Sequence, residues 1–451
     1  MSAPVLLHQL FFSPPPLSFK TPDPKPLQKP LSPIIAGTPQ PLPFSGRKLR
    51  AAVIGGGPAG SSAAEALAAG GLETFLFERS AATSKPCGGA IPLCMLDEFS
   101  IPAHLIDRQV TQMRIISPSN LIVDFGKTLK PHEFIAMLRR EVLDSYLRDR
   151  AQFNGANLVS ALVTRLEVPR SPSAPYVVHY TINNSRRSLA VDVVIGADGA
   201  NSKVAKAIGA GEYTCAIAFQ ERIKLPDEKM AYYENLAELY MGSDVSPDFY
   251  AWVFPKCDHV AVGTGTVQSK QDIKLYQRGI RRRAKAKING GKVIKVEAHP
   301  IPEHPRARRV RGRVALVGDA AGYVTKCAGE GIYFAAKSGR MCGEAIVRAS
   351  EGGERMITEG DLRREYLREW DAKYLSTFRV LDLLQRVFYG SNAAKEALVE
   401  MCGSEYVQRV TFESYLYKRL ADGNRWEEVK MVWNTIGSLV RCNIVGGKWG
   451  V

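Results

Sequence analysis

Three glycines directly follow a short apolar segment, and their spacing is typical of a nucleotide-binding turn. The run "LRAAVIGGGPAG" places Gly55, Gly57 and Gly60 between a strand and an alanine-rich helix. The first glycine permits a tight turn, the second lets backbone amides approach a pyrophosphate, and the third lets the helix pack closely on the strand. The N-terminus of the helix adds unpaired N–H groups and the positive end of its dipole. These residues predict a pyrophosphate-binding loop.

A second strand, "LETFLFER", ends in Glu78, 23 residues after Gly55. An acid at this point is placed to bind ribose hydroxyls, and it would repel the 2′-phosphate of NADP. The nucleotide held here is therefore not expected to be NADP. Strand, glycine triplet, helix, strand and acid together are a specific signal for dinucleotide binding. We include Ala59 and Arg79, which flank these motifs, in the predicted cofactor site.

Two further strand-ending motifs indicate which dinucleotide is bound. The run "VDVVIGADGANSK" gives a buried strand followed by Asp198, and "GRVALVGDAAGY" gives a strand ending in Gly318 and Asp319. With the N-terminal glycines, this set resembles the flavoproteins built like para-hydroxybenzoate hydroxylase. The resemblance implies FAD as the cofactor and gives Asp319 the role of binding its ribityl chain. Asp319 also fits an N-cap of the helix that follows, and the two roles are compatible.

The helical run "LRREVLDSYLRDRA" belongs to the same resemblance. It places Arg140 four residues before Asp144, which implies a contact between Arg140 and the flavin phosphates. A solvated charge on a helix is the alternative interpretation of Arg140. The cofactor site implied by the class is completed by Gly329 and Gly331 in "CAGEGI".

Several longer runs narrow the resemblance to one family. They are "KPCGGAIPLCM", "GADGANSKVAKAI", "AIAFQERI", "SPDFYAWVFPKCDHVAVGTGTV", "EAHPIPEHPRARR" and "ALVGDAAGYVTKCAGEGIYFAAKSGRMC". From Lys48 to Cys442 the chain resembles plant and cyanobacterial geranylgeranyl reductase. It departs from the family pattern at Ala328, where serine is expected, and in its final run "NIVGGKWGV".

The resemblance implies an FAD enzyme that reduces three double bonds of a geranylgeranyl chain to give a phytyl chain. The substrate would be geranylgeranyl diphosphate, or the same chain already esterified to chlorophyll, and the product would supply chlorophyll, tocopherol and phylloquinone. NADPH would be the electron donor. A second nucleotide fingerprint is absent from the sequence, as expected if the nicotinamide visits the flavin transiently.

An aromatic strand, "PDFYAWVFP", is open to two interpretations. Alternation along a strand puts Tyr250, Trp252 and Phe254 on one face. Such a face commonly fills a core. In the wider geranylgeranyl reductase family the corresponding strand lines the isoprenoid tunnel, and large rigid rings suit a flexible apolar ligand. We therefore predict that these three residues bind the substrate chain.

Reduction of an isolated double bond requires a hydride on one carbon and a proton on the other. Positive charge develops on the chain in between, and aromatic faces can stabilise it without reacting with it. A positioned proton donor also contributes. Cys87, in a glycine-rich loop that reaches the flavin in this class, is the candidate catalytic or positioning residue. The alternative is a small apolar loop residue with no chemical role.

Arginine-rich runs are the candidates for binding a diphosphate, because guanidinium groups bind phosphates in a bidentate way. The run "HPRARRVRGR" supplies Arg306, Arg308, Arg309, Arg311 and Arg313, and "RGIRRRAKAK" supplies Arg281, Arg282 and Arg283. Solvated surface charge is the alternative for most of them. His299 and His304 have no partners at metal-ligand spacing, so we predict no metal site.

The composition is that of a soluble globular protein with a basic leader. The chain has 451 residues and a formal charge of +15, which favours anionic ligands or an anionic membrane surface. Nucleic-acid motifs are missing. Eight scattered cysteines fit a reduced compartment. Residues 1–48 are proline-rich, hydroxylated and poor in acids, which predicts a disordered chloroplast transit peptide; a plain disordered tail is the alternative.

These elements predict an α/β fold in three parts. A Rossmann-type FAD-binding domain spans residues 49–360 and is interleaved with a mostly antiparallel substrate domain, roughly residues 85–130 and 205–305. Residues 361–451 form a C-terminal helical region, because apolar residues recur there at helical spacing. This region packs on the catalytic domain in the first interpretation and attaches to a plastid membrane or a membrane protein in the second. A transmembrane span is not expected.

Two other functions fit the same scaffold. Flavin-dependent monooxygenases and halogenases are the first, but the halogenase strand Trp-x-Trp-x-Ile-Pro would need tryptophan at Tyr250 and isoleucine at Phe254. A catalytically silent flavoprotein that binds only isoprenoid or a partner is the second. Intact binding motifs do not distinguish a silent protein from an active one.

Overall fold

The computed structural model of the chain describes residues 46–80 and 85–418. Its strands are β1 (Arg50–Ile54), β2 (Glu73–Glu78), β3 (Ala90–Ile91), β4 (Arg108–Val110), β5 (Gln112–Ile116), β6 (Ile122–Asp124), β7 (Ile135–Met137), β8 (Asn157–Ser160), β9 (Leu162–Glu167), β10 (Tyr176–Ile182), β11 (Ser185–Val191), β12 (Val193–Gly196), β13 (Cys215–Lys224), β14 (Leu236–Tyr240), β15 (Ala251–Pro255), β16 (His259–Thr266), β17 (Lys292–Pro302), β18 (Val310–Arg311) and β19 (Val314–Leu316).

The described α-helices are α1 (Pro58–Ala69), α2 (Leu93–Glu98), α3 (Arg140–Phe153), α4 (Lys203–Ala207), α5 (Asp227–Tyr232), α6 (Ile273–Arg283), α7 (Lys285–Ile288), α8 (Gly318–Ala321), α9 (Ile332–Ala349), α10 (Glu359–Leu362), α11 (Ser376–Phe388), α12 (Asn392–Met401) and α13 (Glu405–Tyr417). Short 3₁₀ helices lie at Ala103–Leu105 and Lys270–Asp272, and π-helical turns lie at Arg363–Arg368 and Asp371–Leu375.

A six-stranded sheet, in the order β18-β19-β12-β1-β2-β8, forms the nucleotide-binding half. All its neighbouring strands are parallel except β18 and β19. Buried apolar residues fill β1, as expected for a parallel strand covered on both faces. Helices α1 and α9 pack closely beside it, because a Cβ added at Gly339 would lie 1.9 Å from the carbonyl oxygen of Ala59.

A seven-stranded sheet, in the order β17-β13-β16-β15-β14-β5-β6, forms the second half. Its pairs are antiparallel except β14 with β5. Its strands come from residues 112–124 and 215–302, inside the predicted substrate ranges. The predicted fold class, a Rossmann-type domain interleaved with a mostly antiparallel sheet, is confirmed. The boundaries of the individual domains stay predictions.

The C-terminal region is helical as far as it is described, but it is not uniformly α-helical. Two π-helical turns interrupt it where Tyr366, Trp370 and Tyr374 are buried. Trp370, between the two turns, stacks on Tyr323 with ring centroids 4.1 Å apart. The predicted helical stretch beyond residue 418, including the run "NIVGGKWGV", lies outside the described residues.

No helix among the described residues is long and apolar enough to cross a membrane. The predicted leader lies almost entirely outside the described residues, except at its end. Arg47 and Lys48, which the predicted boundary includes in the leader, form ion pairs with Asp192 and Glu354. The Arg47 guanidinium reaches both oxygens of the buried Asp192 carboxylate, at 2.6 and 2.9 Å. Arg47 therefore belongs to the folded unit.

The ion pair between Arg47 and Asp192 predicts where the folded unit begins, and two shortened chains test this. A chain beginning at Gly46 should keep the full-length melting temperature, whereas a chain beginning at Leu49 should be less stable by about 1–3 kcal/mol, because Asp192 loses a charged hydrogen-bond partner. Thermal unfolding of both shortened chains checks this. Equal melting temperatures for the two would show that Arg47 does not contribute.

Candidate functional site

One cavity of about 2270 Å³ extends from the glycine loop to the aromatic strand and the C-terminal helices. Most of the predicted site residues line it, namely Gly55, Gly57, Ala59, Glu78, Arg79, Cys87, Arg140, Asp198, Tyr250, Trp252, Phe254, Asp319, Gly329 and Gly331. Gly60 and Gly318 are not part of the lining, and they pack behind it. The tertiary structure thus brings the residues predicted to bind the cofactor and those predicted to bind the substrate into one cavity.

The three glycines of the loop serve different purposes. Gly55 has a φ of +107°, and a Cβ added there would lie 2.3 Å from the carbonyl oxygen of Ala197. A Cβ on Gly60 would lie 1.7 Å from the carbonyl oxygen of Gly55. At Gly57, by contrast, the nearest atom to an added Cβ is Nη2 of Arg140, at 3.7 Å. The chain needs Gly55 and Gly60 for its own packing, and the space beside Gly57 is left for a ligand.

The electrostatics of that space favour an anion. Helix α1 begins beside it, and no side chain caps the helix, so its first N–H groups are available to a ligand. Arg140 is buried and makes a bidentate ion pair with Asp144, with both N–O distances 2.8 Å. Burial opposes the charge, but the Asp144 carboxylate outweighs it and raises the pKa of Arg140. A fixed guanidinium at this position suits a pyrophosphate.

Glu78 lies at the end of β2, next to the glycine loop. Its Oε2 accepts a hydrogen bond from the Gly56 N–H at 2.7 Å, and its Oε1 accepts one from the Ser80 N–H at 3.0 Å. These two hydrogen bonds hold the carboxylate beside the cradle, by which we mean the glycine loop from Gly55 to Gly60 and the N-terminus of α1. This position fits the predicted contact with ribose hydroxyls.

Asp319 lies in the cavity with Lys85, which has no predicted role, and with His299, which was considered only as a metal ligand. The Lys85 ammonium contacts its carboxylate, and although burial opposes this, the ion pair lowers the pKa of Asp319. His299 also lines the cavity; burial and then the Lys85 charge lower its pKa to about 3, so the ring is neutral. Lys85 is 234 residues from Asp319 in the chain, and no local pattern links them.

Asp198 lines the cavity, but its carboxylate is already used by the fold. It accepts hydrogen bonds from the backbone N–H groups of Lys203 and Val204, at 2.7 and 3.2 Å, and from the Ser202 hydroxyl. The side chain thus holds the N-terminus of α4. Contact between Asp198 and a cofactor stays a prediction.

The aromatic strand forms a continuous wall of the cavity. Ring centroids lie 6.1 Å apart from Tyr250 to Trp252 and 6.3 Å apart from Trp252 to Phe254. Phe249 extends the row, stacked on Tyr250 at 4.2 Å. The Tyr250 hydroxyl donates to the carbonyl oxygen of Ala328, at 2.8 Å, which joins this wall to the predicted cofactor segment. The row is both core and lining, because Trp252 is only 7% exposed.

Cys87 lies on a loop that is fastened to the end of the aromatic strand. The buried Lys256 ammonium donates to the carbonyl oxygens of Gly88 and, at 2.9 Å, of Leu138. A Cβ added at Gly88 would lie 2.8 Å from the Phe254 ring, so the loop also touches the aromatic wall. Lys256 directly follows "YAWVFP", yet the sequence alone gave it no role, because a lysine at a strand end is ordinarily solvated.

The arginine-rich runs do not line the cavity. Arg306 donates to the carbonyl oxygens of Ala320 and Gly211, and Arg309 pairs with Asp371. Arg308, Arg311 and Arg313 also donate to backbone carbonyls, and Arg281 pairs with Glu221, so these arginines stabilise the fold. Lysines line the cavity near the C-terminal helices instead, namely Lys337, Lys373 and Lys418.

One group of potential metal ligands occurs among the described residues. Ligand atoms of Cys257, Asp258 and His259 lie within 4.8 Å of one another, outside the cavity lining. The Asp258 carboxylate is exposed and accepts from, or pairs with, the His259 ring at 2.9 Å. The group is empty and we assign no metal to it. The predicted lack of a metal site stays a prediction.

The Lys256 anchor can be tested by substitution. Burial lowers the pKa of Lys256 to about 8, and Lys256→Met removes the ammonium while keeping an unbranched side chain. We expect the Cys87 loop to loosen, so that alkylation of Cys87 by iodoacetamide, followed by peptide mass, becomes several times faster. The control is Lys395→Met, since Lys395 is equally buried and donates to the carbonyl oxygens of Ser246 and Pro247 at 2.7 and 2.9 Å. Equal labelling of Cys87 in both variants would contradict the anchor.

A family model described as an FAD binding domain matches residues 48–352. The residues at the cradle fit that cofactor: open space at Gly57, a fixed cation at Arg140, an uncapped helix N-terminus and an acid at Glu78. The cofactor of the chain is FAD.

Curated relatives and solved structures agree with this match. A chloroplastic geranylgeranyl diphosphate reductase from Nicotiana tabacum is 66% identical over 406 residues, covering 88% of this chain and 87% of the relative. One from Synechocystis sp. is 60% identical over 402 residues, covering 88% and 98%. A geranylgeranyl bacteriochlorophyll reductase-like protein from Thermoplasma acidophilum is 21% identical, with a TM-score of 0.70, covering 82% of this chain and 96% of that one.

A flavin-dependent halogenase, CmlS, shares the fold at 19% identity and a TM-score of 0.60, covering 86% of this chain and 70% of that one. This likeness supports the fold alone. The halogenase alternative is not favoured, because the relatives at high identity are reductases. The chain belongs to the geranylgeranyl diphosphate reductase family.

Proposed function

We propose that the protein reduces double bonds of a geranylgeranyl chain, with FAD as the cofactor and NADPH as the electron donor. The observation that carries this proposal is the single cavity that joins the dinucleotide cradle to the aromatic wall. The names of the relatives supply the substrate class, and the apolar character of the wall agrees with a long hydrocarbon. Three double bonds reduced in sequence would convert a geranylgeranyl chain to a phytyl chain.

FAD supplies the hydride when it is bound. Gly57, the N-terminus of α1 and Arg140 are the groups that would hold its phosphates, Glu78 its adenosine ribose and Asp319 its ribityl chain. NADPH delivers two electrons for each double bond and leaves, which agrees with the lack of a second nucleotide fingerprint in the sequence.

The aromatic wall stabilises a positive charge that an isolated double bond has no group of its own to stabilise. Positive charge on the chain is stabilised by ring faces, and Tyr250, Trp252 and Phe254 present such faces in a row. Trp252 is buried and Tyr250 and Phe254 are half-buried, which limits the access of water that would otherwise capture the charge. Cys87 lies on the same cavity wall as these rings, and its thiol is the proton-holding group that we assign to this end of the cavity.

Two substrates share the geranylgeranyl chain. We propose the free diphosphate as the principal one, following the names of the relatives, and the chlorophyll ester as the second. The product would supply the phytyl group of chlorophyll, tocopherol and phylloquinone. We place the protein in the chloroplast, because plant relatives are chloroplastic and the leader has the composition of a transit peptide.

An exposed apolar surface lies where the cavity meets helix α11. Leu383, Leu384 and Val387 are 60%, 39% and 45% exposed, and Leu384 also lines the cavity. Arg379 and Arg386 are exposed on the same helix. We propose that this surface rests on an anionic plastid membrane, from which an isoprenoid chain enters the cavity.

Vesicle sedimentation tests the membrane contact. With vesicles that contain anionic and neutral lipids, Leu383→Asp together with Val387→Asp should lower the bound fraction about tenfold, because two exposed apolar side chains that would enter the membrane are replaced by negative charges. Phe153→Asp is the matched control, since Phe153 is 70% exposed at the end of α3 and does not line the cavity. Unchanged binding of the α11 variant would remove this surface from the proposal.

The central experiment is an anaerobic assay with NADPH and geranylgeranyl diphosphate, analysed by mass. Each reduced bond adds two hydrogens, an oxygenase product would carry oxygen when air is admitted, and a silent protein would give no product.

Gly57→Val should fold but fail to bind FAD, because its side chain enters space that the protein itself does not use. Gly360→Val is the control, since Gly360 is exposed, the nearest atom to a Cβ added there is Oγ1 of Thr358 at 3.5 Å, and residues 358–362 do not line the cavity. A folded wild type that neither binds FAD nor reduces the chain would overturn the proposal.

A further inference from the structure

Tyr415, in the last turn of helix α13, lines the cavity from its helical side and is half-buried. Within residues 46–80 and 85–418, no group is hydrogen-bonded to its hydroxyl. Tyr417, two residues further along the helix, differs, because its hydroxyl donates to Oε1 of Glu133 at 2.8 Å. Polar groups that are shielded from water are ordinarily paired. The Tyr415 hydroxyl is therefore available to whatever occupies the cavity.

A buried ammonium group lies over the Tyr415 ring. Nζ of Lys418, the residue directly after α13, is 4.5 Å from the ring centroid and donates to the carbonyl oxygen of Tyr415 at 2.7 Å. The same Nζ is 2.6 Å from Oε1 of Glu330, and both side chains of this ion pair are only 10% exposed. A cation fixed at a ring face stabilises negative charge that develops on the phenol.

The ion pair also fastens the end of α13 to the predicted cofactor segment, because Glu330 belongs to the run "CAGEGI". The backbone of Glu330 is itself fixed. Its N–H donates to Oγ1 of Thr325, and its carbonyl oxygen accepts from the N–H of Thr325, both at 3.0 Å. Lys418 thus holds Tyr415 beside a segment that is rigidly placed at the cavity wall.

The Tyr415 side chain faces the same part of the cavity as the aromatic row. It packs with Tyr250 and Phe254 against one hydrophobic cluster. Burial raises the pKa of Tyr415 well above that of a free phenol, and the Glu330 carboxylate raises it further, so the hydroxyl keeps its proton at neutral pH. Tyr250 and Cys87 are near enough to raise this pKa as well. A protonated hydroxyl without a role in the fold consequently lies where a chain along the aromatic row would pass.

We infer that the Tyr415 hydroxyl gives a proton to the isoprenoid chain during its reduction, and that Lys418 is the residue that positions it. This inference rests on the proposed function for the reaction and the substrate. It adds a proton donor on the helical side of the cavity to the Cys87 thiol on the loop side.

The step balances for each double bond. The O–H bond of Tyr415 breaks, and its proton forms a C–H bond with one carbon of the double bond. The other carbon receives the hydride that NADPH provides through the bound cofactor. The chain gains two hydrogens and no net charge, and the phenolate that remains takes a proton from water before the next bond is reduced. The Lys418 cation stabilises the phenolate in this interval.

The test separates proton donation from binding. Tyr415→Phe removes one oxygen atom and keeps the ring. In the flavin-loaded protein, without oxygen, NADPH first reduces the flavin, and geranylgeranyl diphosphate then reoxidises it. We expect Tyr415→Phe to slow reoxidation about 100-fold, as the loss of a general acid does, while flavin reduction by NADPH and the affinity for the diphosphate change less than about twofold.

Tyr417→Phe is the matched control, because it removes the same atom from the same helix, where the hydroxyl is already bonded to Glu133. Its reoxidation rate should stay within about twofold of the wild type. A wild-type rate for Tyr415→Phe would contradict the inference. A loss confined to the affinity for the diphosphate, or an equal loss in Tyr417→Phe, would contradict it too.

Lys418 is tested through Tyr415. Lys418→Met should slow reoxidation about tenfold, and Lys418→Arg, which keeps the charge, less than about threefold. Added to Tyr415→Phe, Lys418→Met should have no further effect on the rate, because no phenolate is then formed. Losses that multiply in the double variant would show that Lys418 acts on packing and not through Tyr415.

Should Tyr415→Phe fail to retain FAD, the two Lys418 variants decide, and equal reoxidation rates for Lys418→Met and Lys418→Arg overturn the inference. Failure of the proposed function looks different, because the reduced flavin of the wild type itself would then not be reoxidised by geranylgeranyl diphosphate.

Discussion

A buried ammonium group holds the two halves of the site together. Lys256 ends the aromatic strand of one sheet, and its Nζ donates to carbonyl oxygens of Gly88 and Leu138, which precede the helices of the other half. Burying a charge is costly, as the lowered pKa of Lys256 reflects, and backbone carbonyl dipoles offset part of that cost. The same carbonyls fix the Cys87 loop beside the aromatic wall. Together with the hydrogen bond from Tyr250 to Ala328, this contact joins the predicted cofactor-binding residues to the aromatic wall.

Glycines make the remaining space, and they do so for three different reasons. Gly55 and Gly60 let backbone approach backbone, so that helix α1 begins beside the cavity. Gly57 leaves room for a ligand that the protein does not itself provide. Gly263 lets the Trp252 indole approach the backbone of β16 closely. All four are glycines, and the sequence does not show what each one is for. The tertiary contacts show which of them let the backbone pack, which leaves room for a ligand and which lets a side chain of the cavity wall approach the sheet.

The basic residues also divide into those that stabilise the fold and those that line the cavity. Basic residues that look available in the sequence are mostly bound to acids or carbonyls, as Arg309 is to Asp371. The cavity-lining cations Lys85 and Arg140 lie outside the arginine-rich runs, and each is paired with an acid that also lines the cavity, Asp319 and Asp144. The density of arginine in the sequence therefore does not indicate which cations line the cavity.

The amino-acid sequence by itself determined the dinucleotide cradle, the alternation of the aromatic row, the basic leader and the family. Each of these depends on neighbours in the chain, such as the glycine spacing at Gly55 or the two-residue period from Tyr250 to Phe254. The tertiary structure alone decided that Lys256 fastens the Cys87 loop, that Lys85 pairs with Asp319 and that Trp370 stacks on Tyr323. These outcomes depend on pairs far apart in the sequence, 168 residues for Lys256 and Gly88. Which distant groups meet is set by the packing of whole sheets, and a local pattern of residue types carries no information about it.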